Sequence, residues 1–259
     1  MNPFAITFWR FIIGSLLLMP FAIAKIKKEK IHLRLKDVGV LGALGTLCIC
    51  FSMVMLQVAV QKADAPSLIA IIFSANSVFT ILFAIIVLKE KMTKQKLIGV
   101  IICILGVIVC ADLGSGTNLV SVVFAVIAAL SFSLYTVLSR KYMKKIAGAI
   151  QTSLSFFLGS IVLLLILFIS GIEVVPDFGG QNISVLVYLG IVVTGIGYWS
   201  YFKAIEKGGA MMASFAFFIK PILTPFITFL INGIVPETKV FVALILIVCG
   251  SYFATYKKD

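Results

Sequence analysis

The sequence predicts an all-α integral membrane protein with nine transmembrane helices arranged as two inverted repeats. Three observations carry that prediction. Of the 259 residues, 61% are hydrophobic and only 12% charged, half of the roughly one quarter that keeps a soluble domain's surface wet. The apolar residues gather into nine runs, each near the ~20 residues that cross hydrocarbon with every backbone amide satisfied inside the helix. The segments between those runs alternate between strongly basic and almost free of basic residues, as loops on opposite faces of a bilayer do.

In chain order the runs cover residues 3–24, 38–60, 65–88, 95–112, 118–139, 147–170, 182–202, 209–231 and 238–256. The connections at 25–36, 89–96, 140–145 and 203–207, with the tail after 256, hold 18 of the 22 Lys and Arg. The alternate connections, 61–64, 112–118, 171–181 and 232–239, hold only Lys62 and Lys239 of the basic residues, and their acidic residues include Asp64, Glu173, Asp177 and Glu237. Basic loops stay in the cytoplasm, so the C-terminus is predicted to be cytoplasmic and, nine spans earlier, the N-terminus outside. The first run has neither the basic start nor the small-residue cleavage site of a signal peptide, so it is expected to remain as a helix. The expected location is the cytoplasmic membrane of the cell, in a multi-pass arrangement, with the lipid bilayer as partner.

Composition also excludes. The formal net charge of +12 lies in alternating loops rather than on one face, which argues against nucleic acid. Cys48, Cys50, Cys103, Cys110 and Cys249 all fall inside apolar runs and read as small buried hydrophobes. His32, the single histidine, has no acidic cluster or second His near it, so neither a metal nor another cofactor is expected. An intramembrane enzyme would need carboxylates or histidines converging at one depth, whereas the ten acidic residues sit in loops or at run ends.

The two halves match at a shift of about 145 residues. Phe11-Ile12-Ile13-Gly14-Ser15 returns as Phe156-Phe157-Leu158-Gly159-Ser160, and Ala59, Gln61 and Lys62 answer to Ala204, Glu206 and Lys207. At a shift of 144, Asn76, Ser77, Thr80 and Gly106 answer to Lys220, Pro221, Thr224 and Gly250. The repeat divides the chain into a first unit at 1–112, with four helices, and a second at 118–257, with five. The helix at 118–139 finds its counterpart only before residue 1, so the first unit is expected to lack its opening helix. A full unit has an odd number of spans, which sets the two units in opposite orientations, an architecture of transporters.

Several segments carry a family resemblance. Asn2-Pro3 followed by Phe8-Trp9-Arg10-Phe11, then Gly14 and Pro20, is one. Phe73-Ser74-Ala75-Asn76-Ser77-Val78-Phe79, ending in Leu88-Lys89-Glu90-Lys91, is another, and Phe217-Phe218-Ile219-Lys220-Pro221 with Pro225 and Glu237 is a third. In these the chain resembles the EamA-type carriers of the drug/metabolite transporter superfamily, which have ten helices in two five-helix repeats. The segments look like that family's second, fourth and ninth helices. Ser77 departs from the proline common there, and Pro221 to Glu237 is about three residues longer than Ser77 to Glu90. The resemblance implies a secondary transporter, an exporter of small organic metabolites such as amino acids. The rival expectation is a non-transporting or inactive truncated membrane protein with a structural or sensory role.

Lys220 is the sharpest candidate for substrate binding. It lies mid-run, about 16 Å from either end at 1.5 Å per residue, where an ammonium costs at least ~2.5–3.5 kcal/mol unless it faces a polar cavity or an anion. It therefore suggests an anionic or zwitterionic small molecule; the alternative is that it bonds carbonyls freed by the helix-breaking Pro221 and Pro225. Asn76, its repeat partner, makes a polar notch with Ser74 and Ser77 that reads either as cavity wall or as interhelical packing. Tyr135 and Tyr198 read either as cavity wall or as packing aromatics. Arg10, about seven residues into the first run, reads as a gating residue at one mouth or as a side chain snorkelling to headgroups.

Overall fold

The computed structural model of the chain describes residues 2–63, 66–110, 118–143, 146–175, 180–219 and 238–255, together with Leu223, Leu230 and Gly233. Every regular element among them is helical. In order these are α1 (Pro3–Glu29), α2 (Leu35–Lys62), α3 (Pro66–Ser74), α4 (Asn76–Leu88), α5 (Lys94–Cys110), α6 (Leu119–Tyr142) and α7 (Gly148–Ile169). Next, α8 starts as Gly180–Tyr188, widens over Leu189–Ile196 and continues as Gly197–Ser214, and α9 is Thr238–Thr255. Five described helices are long and apolar enough to cross a bilayer: Pro3–Glu29, Leu35–Lys62, Leu119–Tyr142, Gly148–Ile169 and Asn182–Ile219.

Local chemistry sets the helix ends. Asn2 caps α1 by accepting the Phe4 amide at 2.9 Å, with Pro3 in the first helical position, where its fixed φ fits and its missing N–H goes unneeded. The helix runs five residues past the expected apolar boundary. Its last turn carries Lys27 and Lys28, which favour the negative helix terminus and need not stay in hydrocarbon. At the start of α2, Asp37 accepts the Arg34 amide at 2.9 Å and the Tyr142 hydroxyl at 2.5 Å. One carboxylate thus caps α2 and ties it to the end of α6.

Four of the expected runs depart from simple spans. In α2 the turns over Leu47–Val54 are π-helical, as are those over Leu189–Ile196 in α8. The run expected at 65–88 is two helices, interrupted at Ala75, whose amide bonds back only three residues to the Ile72 carbonyl at 3.0 Å. The run expected at 209–231 opens on Gly209 with φ 85° and ψ 169°, which ends the preceding helical path, and then tightens to a 3-10 turn at Phe215–Ile219. A positive φ of this kind is strained for any residue with a Cβ.

The chain forms two compact units, one of Met1–Gln57 with Leu138–Gly209 and one of Val58–Val137 with Ala210–Asp259. In the first, glycines let helices touch backbone to backbone. A Cβ on Gly45 of α2 would lie 1.8 Å from the Ser155 carbonyl oxygen of α7, and one on Gly159 would lie 2.5 Å from the Gly45 carbonyl carbon. Likewise a Cβ on Gly14 of α1 would lie 2.8 Å from Thr194 Cγ2 in α8. Small residues of this kind are how helices associate where lipid is as apolar as the side chains. In the second unit, α5 meets α9 over another glycine, where a Cβ on Gly250 would lie 2.7 Å from the Gly99 carbonyl oxygen. Its core collects Ile81, Ala84, Cys103, Met211, Phe215 and Phe218. Large apolar side chains such as Phe21, Ile86, Phe168 and Ile169 are exposed on the outside, as expected of surfaces that face acyl chains rather than water.

Candidate functional site

In the second unit, polar side chains gather where α3 gives way to α4. The interruption leaves backbone groups that hydrocarbon cannot satisfy, and side chains take them up. Asn76 Nδ2 donates to the Phe73 carbonyl at 2.7 Å, while the Asn76 carbonyl accepts Ser133 Oγ from α6, also at 2.7 Å. Ser77 Oγ donates to the Ser214 carbonyl at 2.7 Å, beside the 3-10 turn of α8. A proline at position 77 would leave that carbonyl without its hydroxyl. Ser74 Oγ turns back to the Ala70 carbonyl at 2.9 Å.

Two polar atoms on this face of α4 are not taken up. Asn76 Oδ1 and Thr80 Oγ1, one helical turn apart, are buried with no hydrogen-bond partner. Both residues are 0% exposed. Aromatic rings close over the region, with Phe132 5.7 Å from Phe73, 5.2 Å from Phe217 and 6.2 Å from Tyr135 between ring centres. Tyr135 itself is fully buried.

A second group lies in the first unit, around the π-helical turns. Arg10 Nη2 donates to Met53 Sδ at 3.4 Å, and the guanidinium carbon stands 4.8 Å from the Phe11 ring centre. Tyr198 Oη reaches the same sulfur at 3.8 Å. The Tyr198 ring packs edge-on against Phe156 at 4.8 Å, 5.7 Å from Phe11 and 6.4 Å from Phe202. Met53 belongs to the first π segment, and Tyr198 lies two residues beyond the end of the second. Such segments recur at functional positions because the wider turn displaces a side chain from its α-helical heading.

The expected site residues therefore fall in two places. Ser74, Asn76 and Tyr135 belong to the second unit, and Arg10 and Tyr198 to the first. Lys220, Pro221 and Pro225 lie outside the described residues. Thr80, Ser133 and Met53 were not singled out from sequence, and neither was Gln151. The first two could have been found as polar residues inside apolar runs. Gln151 could have been found the same way: it is fully buried in α7 with neither side-chain amide atom hydrogen-bonded. Met53 could not, since nothing in its residue type marks a π turn. Among the described residues no group of three or more His, Cys, Asp or Glu comes together.

The chain matches the model of the EamA-like transporter family over residues 1–111 and again over 119–256. It is 36% identical to an uncharacterized transporter of Clostridium kluyveri, over 97% of this chain and 83% of that protein. It is 26% identical to the uncharacterized transporter YdfC of Bacillus subtilis, over 99% of this chain and 83% of that protein. A solved crystal structure, at 18% identity, superposes with a TM-score of 0.81 across 98% of this chain and 88% of that one, a likeness of fold. Long apolar helices, buried polar notches and two family matches spanning nearly all the sequence agree: the chain belongs to the EamA-like transporter family and is a multi-pass membrane transporter rather than an enzyme.

Proposed function

We propose that the protein is a secondary carrier that exports small organic metabolites, amino acids among them, across the cytoplasmic membrane by alternating access. The observation that carries this reading is the pair Asn76 Oδ1 and Thr80 Oγ1, buried without a partner at a broken helix. Unpaired polar atoms in such surroundings cost free energy, and interrupted helices near the bilayer midplane are where carriers of this kind hold their cargo. Lys220, the repeat counterpart of Asn76 in the sequence, supplies the positive charge for an anionic or zwitterionic substrate, with Ser74 and Tyr135 as wall residues beside Asn76 in the second unit.

The two family matches, 1–111 and 119–256, support division into repeat units at 1–112 and 118–257. The π segments Leu47–Val54 and Leu189–Ile196, set apart by close to the repeat shift, support it independently. The excess of Lys and Arg in alternate loops supports a cytoplasmic C-terminus.

The test is reconstitution into proteoliposomes incubated with a cell metabolite extract, with uptake read by mass spectrometry. At least one compound carrying a carboxylate or phosphate should accumulate above protein-free vesicles, and Lys220→Met should lower its uptake about tenfold or more. Uptake equal to protein-free vesicles for every compound would end the carrier reading.

A further inference from the structure

We propose that Arg10 is an anion-binding residue of the first unit, which takes the carboxylate or phosphate of a small metabolite. Among the described residues its surroundings orient the guanidinium without neutralising it. The ion pairs among those residues are Lys25–Glu29 and Lys203–Glu206, and Arg10 has no carboxylate partner there. Its contacts are soft ones: the Met53 thioether at 3.4 Å and the face of Phe11 at 4.8 Å. A thioether is a weak acceptor, and a ring face attracts a cation while leaving its N–H groups in the guanidinium plane unused. The Nε–H is buried and donates to nothing.

Arg10 is only partly buried, yet a guanidinium whose Nε is cut off from water with no acceptor is costly to hold in place. It becomes favourable when a planar oxyanion accepts two of its N–H groups side by side, an arrangement that suits carboxylate and phosphate and that a lysine cannot copy. A residue that had merely snorkelled to headgroups would have its N–H groups in water. Here Nε is turned inward. Neighbouring elements hold the head in place: Met53 comes from the π-helical part of α2, and Trp9, next to Arg10, donates Nε1 to the Val174 carbonyl at 2.7 Å. That bond ties this turn of α1 to the segment after α7. The identity of the anion as cargo rests on the carrier reading above; the existence of the site does not.

The experiment uses Trp9 as reporter. The chain has two tryptophans, so Trp199→Phe leaves Trp9 alone beside Arg10. The purified protein, in nanodiscs of neutral phosphatidylcholine and at constant ionic strength, is titrated with sodium acetate, with methyl phosphate and with acetamide as the uncharged isostere. The expected result is a saturable fluorescence change with acetate or methyl phosphate and none with acetamide. Adding Arg10→Gln should weaken it at least about tenfold, and Arg10→Lys should restore less than the full response. Monodisperse elution of each variant guards against misfolding, and Arg10→Lys keeps the test open should Arg10→Gln fail to fold.

No response to either anion, an equal response to acetamide, or an unchanged response in Arg10→Gln would overturn the proposal. A response abolished by phosphatidylglycerol in the nanodiscs would assign the place to a lipid phosphate and overturn the metabolite assignment. Anion binding without uptake of any compound would sink the carrier reading and leave this site standing. Uptake without anion binding would do the reverse.

Discussion

Replacing Gly45 by alanine should be among the most damaging single-methyl changes in the chain. The added Cβ would stand 1.8 Å from the Ser155 carbonyl oxygen and 2.9 Å from the Gly159 amide nitrogen. Ordinary contact needs about 3.5 Å, so α2 and α7 must part by roughly 1.5 Å. A gap of 0.5–1 Å already forfeits about a quarter to a half of each dispersion contact, and the obstacle is backbone, which cannot swing aside. The cost therefore belongs at the upper end for overpacking, about 3 kcal/mol, or roughly a hundredfold in the unfolding equilibrium. Unfolding in mixed micelles titrated with sodium dodecyl sulfate would measure it. Two glycines on the same helix serve as controls: a Cβ on Gly39 meets nothing within 4 Å, and one on Gly42 meets Leu158 at an ordinary 3.9 Å. Gly159→Ala should cost about as much as Gly45→Ala, and the double variant clearly less than the sum, because one methyl already separates the helices. If Gly45→Ala fell within about 0.5 kcal/mol of Gly39→Ala, the reasoning about this crossing would be refuted.

Other outcomes follow from the same structure. Tyr142→Phe removes the hydroxyl that Asp37 accepts and should cost about 1 kcal/mol by the same titration, with Asp37→Asn epistatic to it; a purely additive pair would show that the bond does not hold α2 to α6. With the cytoplasmic tail inferred from the basic loops, green fluorescent protein fused after Asp259 should fluoresce and alkaline phosphatase fused there should stay inactive; the opposite pattern would invert the topology. In a Cys110→Ser background, a membrane-impermeant maleimide should leave Cys48 and Cys103 unlabelled, since both are fully buried, until detergent unfolds the protein. Labelling of either in intact vesicles would reveal a water route next to it.

The helices were readable in the sequence because the forces that set them are one-dimensional. An apolar run bounded by lysines has to span, and the described parts of α1, α2, α6 and α7 begin and end within a few residues of the expected runs. Asn76 was readable for the same reason, as a polar residue in a run that could not otherwise tolerate one. The break at Ala75 was not: Phe73, Ser74 and Ala75 are unremarkable helix formers, and the interruption shows itself only through bonds to Asn76 and to Ser133 on another helix. The surroundings of Arg10 were not readable either. From sequence its depth of about two turns allowed an escape to headgroups, and only the positions of Met53 and Phe11 reveal that its Nε faces inward. Met53 in turn is positioned by a π turn, which depends on neighbours in space and leaves no mark in the run's periodicity.

Those widened turns let α2 and α8 take up a one-residue change of length locally, at the expense of the side chains inside the turn. A π turn accommodates a residue that an α turn would exclude, so deleting one position within Leu47–Val54 would leave an unbroken α-helix that is entirely comfortable by itself. The helix beyond the deletion would keep its heading, and only side chains within the turn itself would be redirected. The sulfur that touches Arg10 would point elsewhere while composition, hydropathy and span length scarcely changed. Homologues differing from this chain by a single-residue gap at the first widened turn are therefore expected to have exchanged the neighbours of Arg10, however similar their sequences look on both sides of the gap.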